Sequence, residues 1–288
     1  MTLFHAASRD ALAASEQKLL DVVGAGAKPA GRGRATKAAT TASAQQVGAE
    51  LFSVVRLLDR EPGLRRTLGD SSAEPARRED LLTRLLSGKV SDQALQVLVT
   101  AVGDRWSTPR ELVDGLDELG RTALLVAAER EGRLDAVEDE LFRFGRIVAA
   151  DSELERALAD RTAPADAKRT LVETLLGDKA DAVTVELVEQ LVTTPRGRSI
   201  VSGLGELAAE AAKRRERSVA YVIAPVPLSE QQEERLADTL ARIYSRPIAL
   251  HVEVNPDLQG GLVIKVGDEV IDGSVTGRLG ELRRRLAG

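Results

Sequence analysis

The chain has 288 residues, of which 43% are hydrophobic and 30% charged, with a net charge of −5 and no cysteine. That is enough chain for two or three domains with real cores, it excludes wholesale disorder, and it removes disulfides, thiol nucleophiles and Cys-type zinc sites. Aromatic residues are only 2%, so the cores must be built from Leu, Val and Ala, and a single-strand nucleic-acid binder that stacks bases on rings is disfavoured.

The start, MTLFHAASRD, has neither the basic nor the apolar region of a secretory signal. The longest apolar run, Ala123 to Ala128, falls far short of the roughly 20 residues of a membrane span, so contact with a membrane is expected only through a partner. A first helix is expected over about residues 8 to 23. It is followed by GAGAKPAGRGRATKAATTASAQQ, which has four cations and no acid and reads as a mobile loop over 24–46. A second helix then starts near residue 46.

From there the chain repeats itself. Shifted by 90 places, ELFSVVRLLDREPGLRRTLGDSSA from Glu50 lies over ELFRFGRIVAADSELERALADRTA from Glu140, and 13 positions are identical between residues 50–89 and 140–179. Polar identities such as Glu50/Glu140, Arg56/Arg146 and Lys89/Lys179 are kept, and GLDEL at 115–119 answers GLGEL at 203–207 after a small change of shift. The second copy resolves into six helices by apolar spacing and breakers. Leu112, Leu116, Leu119, Ala123 and Val126 form one stripe of a long helix ending near Gly132. Further helices are expected over 133–150, near 152–160, from Pro164 to Leu176 with Thr162 near its cap, over about 180–193, and over about 197–217.

The period changes from Val219. VAYVIAP is a strand, Ser229 and Gln232 have capping-box spacing at the head of a helix carrying Leu236, Leu240 and Ile243, and PIALHVEVN alternates as a half-buried strand with Ile248, Leu250, Val252 and Val254 on one face. A hairpin turning at Gly267-Asp268 follows, then a helix that Ser274 can cap, with Val275, Leu279, Leu282 and Leu286 on one stripe. The expected fold class is α+β and mostly α: two tandem six-helix bundles, residues 1–110 and 111–217, followed by a small α/β domain of βαβββα order over 218–288.

Catalytic readings fail on the residues. Gly26 and Gly31 have part of a phosphate-loop spacing, but Arg32 and Gly33 follow where Lys and Ser or Thr are required. His5 and His251 are too far apart in sequence to suggest a ligand pair, and His251 lies opposite the buried face of its strand. The acids Glu138, Asp139 and Glu140 fall in a helix start, where acids are expected on electrostatic grounds. Asp272-Gly273-Ser274 has no base near it in sequence and reads as a structural motif. No enzyme activity, cofactor, metal or small-molecule substrate is therefore expected.

The C-terminal stretch LHVEVNPDLQGGLVIKVGDEVIDGSVTGRL resembles the signature of the delta subunit of F-type ATP synthases, the bacterial relatives of the mitochondrial oligomycin-sensitivity-conferring protein. The resemblance is carried by Gly260-Gly261, Val263-Ile264-Lys265, Gly267, and Ile271-Asp272-Gly273-Ser274-Val275 with Arg278-Leu279. It covers the last 70 or so residues strongly and 111–217 moderately. The extra N-terminal copy resembles the longer delta subunits of high-G+C Gram-positive bacteria. One departure is Glu118-Leu119-Gly120-Arg121-Thr122-Ala123, which stands where the family's first helix carries an Arg-Pro-Tyr-Ala type start.

The resemblance implies a non-catalytic connector of the peripheral stalk, part of the stator. Its helical domain binds N-terminal segments of the alpha subunits of the catalytic head, and its C-terminal domain holds the b subunits. It implies a place on the cytoplasmic face of the plasma membrane, reached through the b subunits. The residues can be weighed against this. Val183, Val185, Leu187, Val188, Leu191 and Val192 spread over roughly 200° of a helical wheel, about twice what one-sided burial needs. Either both faces pack within the bundle or one edge lines a groove for a partner helix. The expected groove for an alpha segment comprises Leu119, Ala123, Val126, Val185, Val188 and Val192. Arg278, Leu282, Arg283 and Arg285 are either a solvated helix end or the contact for acidic helices of the b subunits. The alternative outside the synthase is a helical-repeat adaptor, or a nucleic-acid binder using Lys28 to Lys37 and the terminal arginines.

Overall fold

A computed structural model describes residues 5–25, 34–217, 219–244, 248–256, 258, 260–267 and 269–275. The chain divides into two compact units, Met1–Ala211 and Ala212–Gly288.

The helical unit opens with α1 (Ala6–Ala25), α2 (Arg34–Arg60), α3 (Pro62–Leu68), α4 (Pro75–Leu86) and α5 (Asp92–Gly103). α6 (Pro109–Glu131) starts at Thr108, whose hydroxyl accepts the Glu111 amide at 3.1 Å, and it stops at Gly132 in the left-handed region with φ 70°. Then come α7 (Leu134–Ala150), α8 (Ser152–Ala159), α9 (Ala165–Leu176), α10 (Ala182–Thr193) and α11 (Ile200–Arg217). Asp151 and Asp181 cap α8 and α10 by accepting backbone amides one turn in.

The internal repeat is written into the hydrogen bonds. Glu50 Oε2 accepts from the Ser91 amide at 2.9 Å and its hydroxyl at 2.6 Å, at the head of α5. Ninety residues on, Glu140 Oε2 accepts from the Asp181 amide at 2.9 Å and the Thr184 hydroxyl at 2.6 Å, at the head of α10. Asp70 takes the amide and hydroxyl of Ser72, and Asp160 those of Thr162. The side-chain bond first, and then the backbone bond, hold both carboxyls below the usual carboxylate range.

Three expectations change. The stretch read as a loop over 24–46 is shorter, because α1 runs to Ala25 and α2 starts at Arg34; residues 26–33 lie outside the described residues. The polar, Ala-rich run RATKAATTASAQQ lacks apolar periodicity, yet its alanines are strong helix formers and it continues the apolar-faced helix behind it. Thr162 does not cap α9; its hydroxyl donates to Asp160 instead. The helical residues form one compact unit of eleven described helices rather than two separate six-helix bundles. The reason is α6, which is the last helix of one copy and the first of the next. Its Leu112, Leu116, Leu119 and Ala123 belong to the core of α1–α5, and its Leu124, Leu125 and Ala128 belong to the core of α7–α11.

The second unit contains β1 (Val219–Ala224), α12 (Glu230–Tyr244), β2 (Ala249–Val254), β3 (Val263–Val266) and β4 (Glu269–Asp272), in the sheet order β2-β1-β3-β4. β1 and β2 run parallel around α12, and the other pairs are antiparallel. The capping box at α12 is made: the Ser229 amide donates to Gln232 Oε1 at 2.9 Å, and the Gln232 amide to Ser229 Oγ at 3.4 Å. Ala220, Val222, Ile264 and Val266 line the buried face of the sheet with Ile248 and Leu240. Leu250 and Val252 pack against that core, whereas Val254 is 43% exposed.

Candidate partner-binding surfaces

The six residues of the expected groove do stand on two helices that the fold brings together, but the chain itself covers them. Leu119 and Ala123 on α6 are fully buried in the core shared with α1–α5, and Val126 is packed against Val23 and Ala44. On α10, Val188 and Val192 are fully buried and Val185 nearly so. The cover is α2. It crosses α6 so closely that a Cβ on Gly120 would meet the ring of Phe52 at 2.5 Å. Its Gln45 donates to Glu186 at 3.4 Å, and its Arg56 to Gln190 Oε1 at 3.1 Å, both on α10. Apolar breadth on α10 therefore reflects burial on two sides within the chain.

A buried polar network pins this seam. Asp117, 2% exposed, accepts from Arg121 at 2.7 Å, from Gln190 at 3.0 Å and from Arg198 at 3.4 Å. Arg121 also reaches Glu210 on α11 at 3.0 Å. Burial opposes the charge on Arg121, but Glu210, Asp117 and Glu118 more than offset it and raise its pKa. Burial first, and then the neighbouring Glu210, Glu16 and Asp117, push the Glu118 carboxyl up to about 7 despite Arg121. Asp117, Gly120 and Arg121 thus supply the seam between the copies. Sequence reading missed this, because the partners of Asp117 and Arg121 lie 73 to 89 residues away.

In α1–α5 the edge equivalent to the covered groove is less enclosed. Leu12 on α1 and Leu95 and Val99 on α5 are only half-buried, while Leu98 and Val102, which match Val188 and Val192, are fully buried. The copies differ clearly on their second helices. Phe52 is 1% exposed, and its repeat partner Phe142 on α7 is 60% exposed, with Ile147 at 56%. The shift that aligns GLDEL with GLGEL sets Ala208 against Gly120, so the slot that accepts one phenylalanine ring carries a methyl group in the other copy.

In the second unit the signature residues shape the backbone. Gly260, Gly261 and Gly267 have φ of 107°, 83° and 58°, in the region that glycine adopts without strain. A Cβ on Gly261 would meet the Gly273 carbonyl oxygen at 2.3 Å, while the Gly273 amide donates to Leu262 at 2.9 Å and that of Val275 to Gly260 at 3.0 Å. Asp272 Oδ1 accepts the amide of Ser274, itself 3% exposed, at 2.9 Å. The hydroxyl and amide of Ser274 hold the Asp272 carboxyl below its usual range. The expected contacts Arg278, Leu282, Arg283 and Arg285, and Asp268 of the hairpin turn, lie outside the described residues. His251 is exposed on β2, its ring edge-on to Tyr221 at 5.5 Å.

Residues 122–286 match the family model described as ATP synthase delta (OSCP) subunit. The chain belongs to this family. An ATP synthase subunit delta of Streptomyces griseus is 46% identical over 284 residues, spanning 99% of this chain and 100% of that protein. Another from Acidothermus cellulolyticus is 49% identical over 243 residues, spanning 84% of this chain and 89% of the relative. A chain from the mitochondrial ATP synthase hexamer of Toxoplasma gondii is 23% identical and covers 58% of this one and 95% of its own length, with a TM-score of 0.29. The delta (OSCP) match starts within α6 at the seam, and the full-length delta relatives extend it across α1–α5.

Proposed function

We propose that the chain is a non-catalytic connector in the stator of an F-type ATP synthase, tying the catalytic head to the b subunits so that the head is held against the turning rotor. The observation that carries this reading is the full-length identity with actinobacterial delta subunits. The two separately cored units also suit it, since a connector needs a grip for each of two neighbours. The helical unit takes an N-terminal helix of an alpha subunit, and the second unit takes the b subunits, with Arg278, Leu282, Arg283 and Arg285 as their contacts. Leu119, Ala123, Val126, Val185, Val188 and Val192 would meet an alpha helix only if the helices that bury them, α1 and α2 over α6 among them, moved away. The half-buried edge of Leu12, Leu95 and Val99 is therefore the better seat, with the six buried residues supporting its twin. No described helix is long and apolar enough to cross a membrane, and membrane attachment comes through the b subunits, at the cytoplasmic face of the plasma membrane. The full-length relatives favour this role over an adaptor or nucleic-acid binder outside the synthase.

The test is reconstitution of delta-depleted synthase with the full chain and with a chain lacking residues 218–288. The full chain should restore proton-driven ATP synthesis. The truncated chain should bind the head and leave synthesis uncoupled while ATP hydrolysis by the head continues. A truncated chain that still joins the b subunits would overturn the assignment of the second unit.

A further inference from the structure

The two copies treat one buried cation differently. In the first, Arg78, 3% exposed, donates to the carbonyl oxygens of Gly103 at 3.2 Å and Asp104 at 3.1 Å at the end of α5. The Asp104 carboxylate lies in its field and compensates its charge. Ninety residues on, Lys168, 6% exposed, donates to the Val192 carbonyl oxygen at 2.9 Å at the end of α10. The position matching Asp104 is Thr194. The cap is kept and the counter-charge is lost. Burial lowers the pKa of Lys168, and Asp160, itself engaged by Thr162, is the acid that opposes this.

Above Lys168 lies an open cleft of about 470 Å3, walled by Arg110 at the start of α6, Arg161 before α9, and the Thr193–Gly197 loop with Arg196. Four cations line it and no carboxylate does. Arg196 is already neutralised by Asp114 at 2.6 Å and Asp59 at 2.9 Å. Its φ of 51°, in the left-handed region that a non-glycine residue enters at a cost, fixes the turn carrying it. Arg110 and Arg161 make no hydrogen bond or ion pair with a described residue. A second hollow of about 360 Å3 shares Arg110, Thr193 and Arg196 but is also lined by Asp59, which pairs with Arg65 at 3.7 Å, so the unpaired cations belong to the first cleft, itself a trench many times larger than one small ion needs. The amino end of α6 adds its partial positive charge.

We infer that this trench binds an acidic segment of a partner protein, with successive carboxylates set against Arg110, Arg161 and Lys168. The chain carries a net charge of −5, so a polyanion is repelled by the molecule at large and attracted only where cations are uncompensated. The site is separate from the α1/α5 edge proposed for the alpha helix, and its test needs no other subunit.

Labelled hexaglutamate is titrated into the full-length chain at low ionic strength and followed by fluorescence anisotropy, with inorganic phosphate as the competing small anion. Binding is expected to saturate, to weaken at least about tenfold in the Arg110→Gln/Arg161→Gln variant, and to fade with added salt. The Arg143→Gln/Arg156→Gln variant, altered on exposed helix surface elsewhere, should bind as the unmodified chain does. Thermal melts check that both variants are folded. Absence of saturable binding, equal affinity in the two double variants, or complete displacement by millimolar phosphate would each overturn the proposal, the last by making this a small-anion site.

Discussion

The same phenylalanine occupies the same local sequence twice, in the Glu-Leu-Phe of residues 50–52 and again at 140–142, and only tertiary cover distinguishes the two. Phe52 is 1% exposed in the slot at Gly120, and Phe142 is 60% exposed. Truncating Phe52 to Ala removes a fully buried ring and leaves a cavity against α6, which costs about 4 kcal/mol. At Phe142 only two fifths of the side chain leaves contact, and water fills the space. The cost there is about 1 kcal/mol, from less than half of the transfer energy of a buried ring. In a unit of 211 residues each kcal/mol moves the midpoint by roughly 2–4 °C, so Phe52→Ala should lower it by about 8–16 °C and Phe142→Ala by about 2–4 °C. Melting followed by far-ultraviolet circular dichroism, with urea titration for the free energies, separates the two. Equal losses would refute the claim that the Gly120 slot distinguishes the copies.

Gly120→Ala should itself destabilise despite the better helix propensity of alanine, by about 1 kcal/mol net, because its methyl group would sit 2.5 Å from the Phe52 ring; a raised midpoint in urea denaturation would contradict this. Asp117→Ala leaves the buried Arg121 without its nearest carboxylate and should cost about 3–5 kcal/mol in the same assay. Glu118 holds its proton to about 7 when folded and to 4.5 as a free side chain. Between these values the folded state therefore binds more protons, and stability falls as pH rises through that window. Glu118→Gln should flatten this slope and gain on the order of 1–2 kcal/mol at pH above 7, discounted for partial exposure, with little change near the lower end; an unchanged slope would show that Glu118 is not its source. A chain ending at residue 217 should keep a cooperative helical melt, since the helical unit carries its own cores. A broad, non-cooperative transition would count against that independence.

Much of the secondary structure was legible because local signals agree with tertiary ones. In the second copy the stripe from Leu112 to Val126, the breaker at Gly132 and the apolar spacing that follows locate six helices within a few residues of α6 to α11. The Ser229–Gln232 capping box and the alternation around His251 place α12 and β2 in the same way. What escaped is non-local. The wide apolar arc on α10 was compatible with a partner groove or with burial, and only the path of α2 decides between them. The amino-terminal part of α2 carries no apolar stripe of its own, so no periodicity announced it. Phe52 and Phe142 are indistinguishable within their segments, because the residue that separates them sits on another helix. The loss beside Lys168 of the counter-charge that Asp104 supplies in the first copy emerges only once the fold sets Arg78 against Asp104 and Lys168 against the end of α10.

Because α6 threads both cores, the long form is not a short protein with a detachable addition. Cutting before residue 109 would strip the cover from Leu112, Leu116 and Leu119, turning an interior spine into a sticky ridge on the surface. A truncated descendant could persist only after repainting that ridge with polar side chains. Shedding the extra half therefore demands several coordinated substitutions along that ridge.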